Sequence, residues 1–154
     1  CMILFLVAGA VVFGKFLAVT RIPFTTASYI GGLEVPALAV MAIIVLIYFI
    51  GGCFMDSLAM IMLTVPVFYP VVMDLGYDPI WFGVIIVLVT EMGVITPPVG
   101  INVYVVYGVT TAMKQNISLE SIFRGIYPFL VATIIGIAIL FLIPQIVTIL
   151  PSLM

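Results

Sequence analysis

The sequence predicts an all-α polytopic membrane protein: a scaffold helix, a re-entrant helical hairpin, a broken transmembrane helix and a final transmembrane helix. Three observations predict it. Hydrophobic residues make up 66% of the 154 positions and charged residues only 6%, where a soluble domain carries roughly a quarter charged residues to keep its surface in water. Apolar runs of about the length of a bilayer crossing follow one another along the chain. Prolines, glycines and acids punctuate those runs at their ends or middles. With four basic and six acidic residues, no fold of this chain presents a hydrated surface, and lipid must solvate most of it.

The elements follow in order. Cys1 to about Thr20 is a span whose end carries Lys15 and Arg21. It opens inside an apolar run with neither a charged n-region nor a small-residue cleavage site, which predicts a piece of a longer protein rather than a signal peptide. Ile22 to Gly32 mixes polar, aromatic and glycine residues and reads equally as an interfacial connector or a plain loop. Pro36–Gly52 and Ser57–Met73 are apolar arms of some 17 residues, or ~25 Å of helix at 1.5 Å per residue. That is short for a crossing, so a re-entrant hairpin with a glycine tip is expected; two thin or tilted spans are the alternative. Asp74 to Pro79 is a turn in which Gly76 supplies unusual backbone angles, Asp78 caps and Pro79 opens the next helix. Pro79–Met113 is one crossing in two halves, interrupted at Thr96-Pro97-Pro98-Val99-Gly100. Lys114 to Arg124 is a polar connector. Tyr127 to about Leu150 is an uninterrupted span that Pro144 bends near its end. The chain thus divides into 1–35, 36–113 and 114–154. Lys114 and Arg124, taken as cytoplasmic, would open the hairpin from the outside, yet Lys15 and Arg21 then oppose the positive-inside rule.

Composition also excludes. Histidine is absent, which removes the commonest general base and metal ligand. Cys1 and Cys53 match no redox or metal spacing. No basic block exists for nucleic acid or anionic lipid. No cofactor is expected.

Chemistry has two candidate places. At the break, Pro97 and Pro98 lack N–H groups and leave the carbonyls of Gly93 and Val94 without helical partners. Proline also pushes the residue before it out of the α region, so Thr96 cannot continue the helix. Free carbonyls in hydrocarbon are tolerated only beside protein, a cavity or an ion. Together with the Thr96 hydroxyl they suit a hard cation such as sodium. Thr96 is expected to cap the second half and Pro97 to open it, leaving free N–H groups near Val99, Gly100 and Ile101 for a carboxylate. Thr96, Pro97, Val99, Gly100 and Asn102 are therefore the candidate substrate-binding residues, and Pro97 and Pro98 the structural break. A simple proline kink is the plainer alternative. The second place is the tip Gly51 to Ser57, where Asp56 either caps the second arm or balances a bound cation. Thr64 lies two turns on along the same face. Glu91 is the other acid at membrane depth.

Four segments, in this order, resemble the large membrane subunit of tripartite ATP-independent periplasmic (TRAP) transporters. They are Gly52-Cys53-Phe54-Met55-Asp56, Leu63 to Pro70, Gly76 to Gly83 and Glu91 to Asn102. The resemblance implies half of an inverted-repeat elevator transporter, with the hairpin at about 36–73 and the broken helix at 79–113. It implies sodium-driven uptake of small organic acids such as C4-dicarboxylates or sialic acids across the bacterial inner membrane. Its expected partners are a small membrane subunit and a periplasmic substrate-binding protein. Sodium is the expected coupling ion, and the resemblance places one sodium between hairpin tip and helix break, nominating Gly52, Cys53, Asp56, Gly93 and Thr96.

Three other readings compete. Another sodium- or proton-coupled carboxylate symporter would share the physics but show a Ser-Asn-Thr type tip. An intramembrane enzyme lacks support: Tyr77-Asp78 resembles an aspartyl protease only superficially, and a serine-type site would want histidine. A non-transporting assembly subunit would have smoother helices.

Overall fold

Two aspartates start the helices that organise the chain. In the computed structural model, which describes residues 2–22, 25, 28, 36–97, 100–115 and 117–153, both take extended backbone angles and cap the helix that follows. Asp56 Oδ2 accepts from the Leu58 and Ala59 amides at 3.1 and 3.4 Å. Asp78 Oδ1 accepts from Ile80 and Trp81 at 2.8 and 3.0 Å, with Pro79 at the first helical position. Each cap satisfies amides that a helix start leaves unpaired. Asp78→Ala is expected to cost ~0.5–2 kcal/mol, while Asp78→Asn keeps the cap. Thermal unfolding of the complete protein in detergent checks this, and an alanine variant as stable as the native protein would refute it.

Seven helices follow one another among the described residues, with no strand: α1 (Met2–Thr20), α2 (Ala37–Phe54), α3 (Ser57–Asp74), α4 (Pro79–Ile95), α5 (Ile101–Ala112), α6 (Leu119–Leu142) and α7 (Gln145–Ser152). α2, α3 and α6 are each long and apolar enough to cross a membrane. The hairpin is α2 and α3, joined by Met55 and Asp56. Gly51 and Gly52 do not form its tip. They lie in the last turn of α2, where the Gly51 carbonyl accepts from the Met55 amide at 2.9 Å. Packing against α4 favours helix there over the weak propensity of glycine. Gly76 has the expected left-handed backbone, φ 81°.

α4 is the centre. Its Trp81, Phe82, Ile85, Ile86 and Val89 pack against Met41, Ile44 and Tyr48 of α2 and Val71 and Val72 of α3, all buried. The Tyr48 ring lies 5.7 Å from Phe68 and 6.4 Å from Phe82, both inclined, as aromatic quadrupoles prefer. Close van der Waals packing of such side chains is what holds membrane helices together, since lipid is as apolar as they are.

The C-terminal third departs from expectation in two places. The connector 114–124 is shorter, because α6 begins at Leu119, eight residues before Tyr127. Ser118 caps it through the Ser121 amide at 3.3 Å, and Glu120 pairs with Arg124 at 3.5 Å one turn on. The final span also ends early. Ile143 and Pro144 interrupt it, and α7 is a separate short helix. Pro144 cannot donate to the Leu140 carbonyl, and Ile143 before it is pushed out of the α region. The Trp81 indole N–H donates to that carbonyl instead, at 2.8 Å. Trp81 is further held by Tyr77, stacked at 5.1 Å, and by Phe141, edge-on at 5.0 Å. Of the expected connector 22–32, residues 22, 25 and 28 are helical; the others lie outside the described residues.

Candidate functional site

The helix is interrupted where two consecutive prolines predict it, between Ile95 and Ile101. The local chemistry differs from expectation. Thr96 ends the first half rather than starting the second. Its amide donates to the Gly93 carbonyl at 3.0 Å and its hydroxyl donates back to the Met92 carbonyl at 2.5 Å. The Gly93 carbonyl is therefore partnered, not free. Back-bonding to the carbonyl four residues earlier is a common use of a threonine hydroxyl in a helix, and here it takes the place of forward capping. The second half starts at Gly100, which is buried and left-handed at φ 58°. No side chain caps α5. The Val103 amide closes on the Gly100 carbonyl at 2.8 Å, so Ile101 and Asn102 supply the first two amides of the half-helix, where the dipole is positive. Pro97 is exposed; Pro98 and Val99 lie outside the described residues.

A cavity of about 360 Å³ opens beside this break. Among the described residues it is lined by Asp56, Ser57, Leu58 and Ile61 at the start of α3, by Glu91 and Val94 of α4, and by Asn102 of α5. Four residues with side-chain oxygens, Asp56, Ser57, Glu91 and Asn102, thus border one space between three helices. Oxygen donors of this kind suit a hard monovalent or divalent cation, not a soft one. Among the described residues no three of Cys, Asp and Glu cluster as a transition-metal site needs.

The other nominated residues sit elsewhere. Gly52 and Gly93 meet at the crossing of α2 and α4. A Cβ on Gly93 would stand 2.7 Å from the Phe49 carbonyl oxygen and 2.9 Å from the Gly52 Cα. A Cβ on Gly52 would stand 2.7 Å from the Thr90 carbonyl oxygen. Both glycines let two backbones touch, as small residues do between membrane helices. Cys53 is buried beside them. Thr64 is not on the cavity; its hydroxyl donates to the Met60 carbonyl at 2.7 Å. Sequence reasoning named Asp56, Glu91 and Asn102 but did not join them. Asp56 and Glu91 are thirty-five positions apart, and only the packing of α3 on α4 makes them neighbours. Leu58 and Ile61 carried no signal beyond apolarity, and Val94 was singled out only for its carbonyl.

The family described as tripartite ATP-independent periplasmic transporter, DctM component, matches residues 1–146. The chain belongs to this family. It is 33% identical over 151 residues to the C4-dicarboxylate TRAP transporter large permease protein DctM of Pseudomonas aeruginosa, covering 98% of this chain and 34% of that protein. It is 34% identical over 148 residues to the sialic acid TRAP transporter large permease protein SiaM of Vibrio cholerae, covering 96% and 34%. It is 35% identical over 117 residues to the isethionate TRAP transporter permease protein DctMQ of Oleidesulfovibrio alaskensis, covering 76% and 18%. The chain therefore spans about a third of the length of the two large permeases. No solved structure matches it. DctM family membership, with three helices long and apolar enough to cross, makes this a multi-pass membrane protein of a transport family, not an enzyme.

Proposed function

We propose that the complete permease takes up a small organic acid across the bacterial inner membrane, driven by a sodium gradient, and that this chain supplies half of its binding centre. The supporting observation is the cavity shared by Asp56, Glu91 and Asn102 at the start of a half-helix. In this reading the two carboxylates and the Asn102 amide oxygen give a dehydrated sodium ion hard oxygen ligands. The Ile101 and Asn102 amides, at the positive end of α5, receive the substrate carboxylate. Broken helices in secondary transporters combine a cation and an anion in this way. The similar permeases are named for C4-dicarboxylate, sialic acid and isethionate, all anions that such a half-helix end suits. The word tripartite in the family description supports two partners, a small membrane subunit and a periplasmic substrate-binding protein.

The test is uptake into liposomes by the complete permease with both partners, under inward gradients of sodium or of potassium. Native protein is expected to accumulate substrate with sodium alone. Asp56→Asn keeps the helix cap, since asparagine caps as well as aspartate, but removes a charge. It and Glu91→Gln are each expected to raise the sodium concentration for half-maximal uptake by about tenfold, the equivalent of ~1.4 kcal/mol. Sodium-independent uptake would sink the reading in favour of proton coupling.

A further inference from the structure

Gly100 starts the half-helix with φ 58°, and glycine alone does not hold that conformation. Without a Cβ it visits left-handed and right-handed backbone about equally, so something nearby must select one. The candidate is Phe123. A Cβ on Gly100 would stand 3.2 Å from Phe123 Cε1, 3.4 Å from its Cζ and 3.3 Å from Val103 Cγ2. The ring therefore lies against the Gly100 Cα, on the side a side chain would otherwise fill. Phe123 belongs to the second turn of α6, twenty-three positions along the chain, and approaches from outside the broken helix.

The position of that ring is itself secured. α6 is tied to α4 at its far end by the Trp81 indole donating to the Leu140 carbonyl and by the Trp81–Phe141 contact. At its near end Ser118 caps it. α6 thus spans the discontinuity from the start of α4 to the start of α5, with an aromatic side chain at the break.

We propose that Phe123 is a positioning residue of the candidate site: its ring holds Gly100 left-handed and so fixes where the second half-helix, with Asn102, begins. This rests on the transport reading above for its consequence, but its physical claim does not. With the ring gone, Gly100 regains alternative backbone states, the first turn of α5 opens more often, and the Asn102 side chain and the Ile101 and Asn102 amides lose a defined place at the cavity.

Two readouts on the complete permease separate the claims. Val103 is buried at the first turn of α5, so Val103→Cys in a cysteine-free background reacts with N-ethylmaleimide only when that turn opens. Phe123→Ala is expected to speed labelling about tenfold, and Phe123→Met, whose Sδ and Cε reach as far as the outer ring atoms, to restore the slow rate. In uptake, Phe123→Ala is expected to raise the substrate KM about tenfold with kcat within about twofold, with rescue by methionine. Labelling and KM that both stay at native values in Phe123→Ala would overturn the proposal. So would a methionine variant as impaired as the alanine one, since a general packing defect predicts no rescue. If the unsubstituted permease shows no sodium-driven uptake, the transport reading fails, while the labelling rates still decide whether Phe123 holds the break.

Discussion

Gly93→Ala in the complete permease is expected to fail to fold stably, or to lose well over ten degrees of thermal stability in detergent. The added methyl would stand 2.7 Å from the Phe49 carbonyl oxygen and 2.9 Å from both the Cα and the carbonyl carbon of Gly52. All three are backbone atoms inside a helix, so no rotamer change relieves them. α2 and α4 must separate along their whole contact, uncovering Met41, Ile44 and Tyr48 on one side and Ile85 and Val89 on the other. Overpacking commonly costs about 1–3 kcal/mol where side chains can move, and more where they cannot. Two controls give the effect its meaning. A Cβ on Gly51 would have the Met60 side chain as its nearest neighbour, which is flexible and can move aside. A Cβ on Gly108 would meet nothing within 4 Å, so Gly108→Ala should be neutral or gain up to ~1 kcal/mol from helix propensity. Stability of Gly93→Ala equal to that of Gly108→Ala would show that the two helices do not cross here.

Trp81→Ala is expected to cost ~3–5 kcal/mol, the range for deleting a buried aromatic side chain. Trp81→Phe isolates one part of that loss. It keeps most of the ring packing against Tyr77 and Phe141 but removes the indole N–H, leaving the Leu140 carbonyl with neither its helical donor nor its replacement. An acceptor left unsatisfied away from water costs about 1–3 kcal/mol. Pro144→Ala returns an amide to the position from which the helix ladder would reach Leu140. Trp81→Phe should therefore be less damaging in the Pro144→Ala background than alone. Equal cost in both backgrounds would mean that the carbonyl is satisfied some other way, and the pairing of Trp81 with Pro144 would be dismissed.

Much of the fold was legible because the deciding physics is local. Asp78-Pro79 stops one helix and starts another through a side chain and a fixed φ, and both act within four residues. The same holds for the interruption before Gly100, which two missing N–H groups compel wherever the segment sits. The start of α6 has a local signal as well, Ser118 with Glu120 in the first turn, but Lys114 and Arg124 give the same stretch the polarity of a connector. Other features were not local. Gly51-Gly52 looked like a flexible tip because glycine's backbone freedom is written in the sequence, while its lack of a side chain matters only once Thr90 and Gly93 lie opposite. The hydroxyl of Thr96 had two competing uses, capping forward or bonding backward, and the sequence does not rank them. Asp56 and Glu91 needed the packing of α3 on α4 before they could be seen as a pair.

The tie between Trp81 and Leu140 has an optical consequence. Trp81 is the only tryptophan in this chain, and it sits on the seam between the helix that carries the break and the helix that spans it. Indole emission depends on the polarity and hydrogen bonding around its nitrogen, and Tyr77, stacked on it at 5.1 Å, is an efficient donor of excitation to it. Separation of α6 from α4 exposes the indole and shifts its colour, while movement of the two helices together leaves it unchanged. The segment thus carries its own fluorophore at the junction where rigid-body motion and local opening give different spectra.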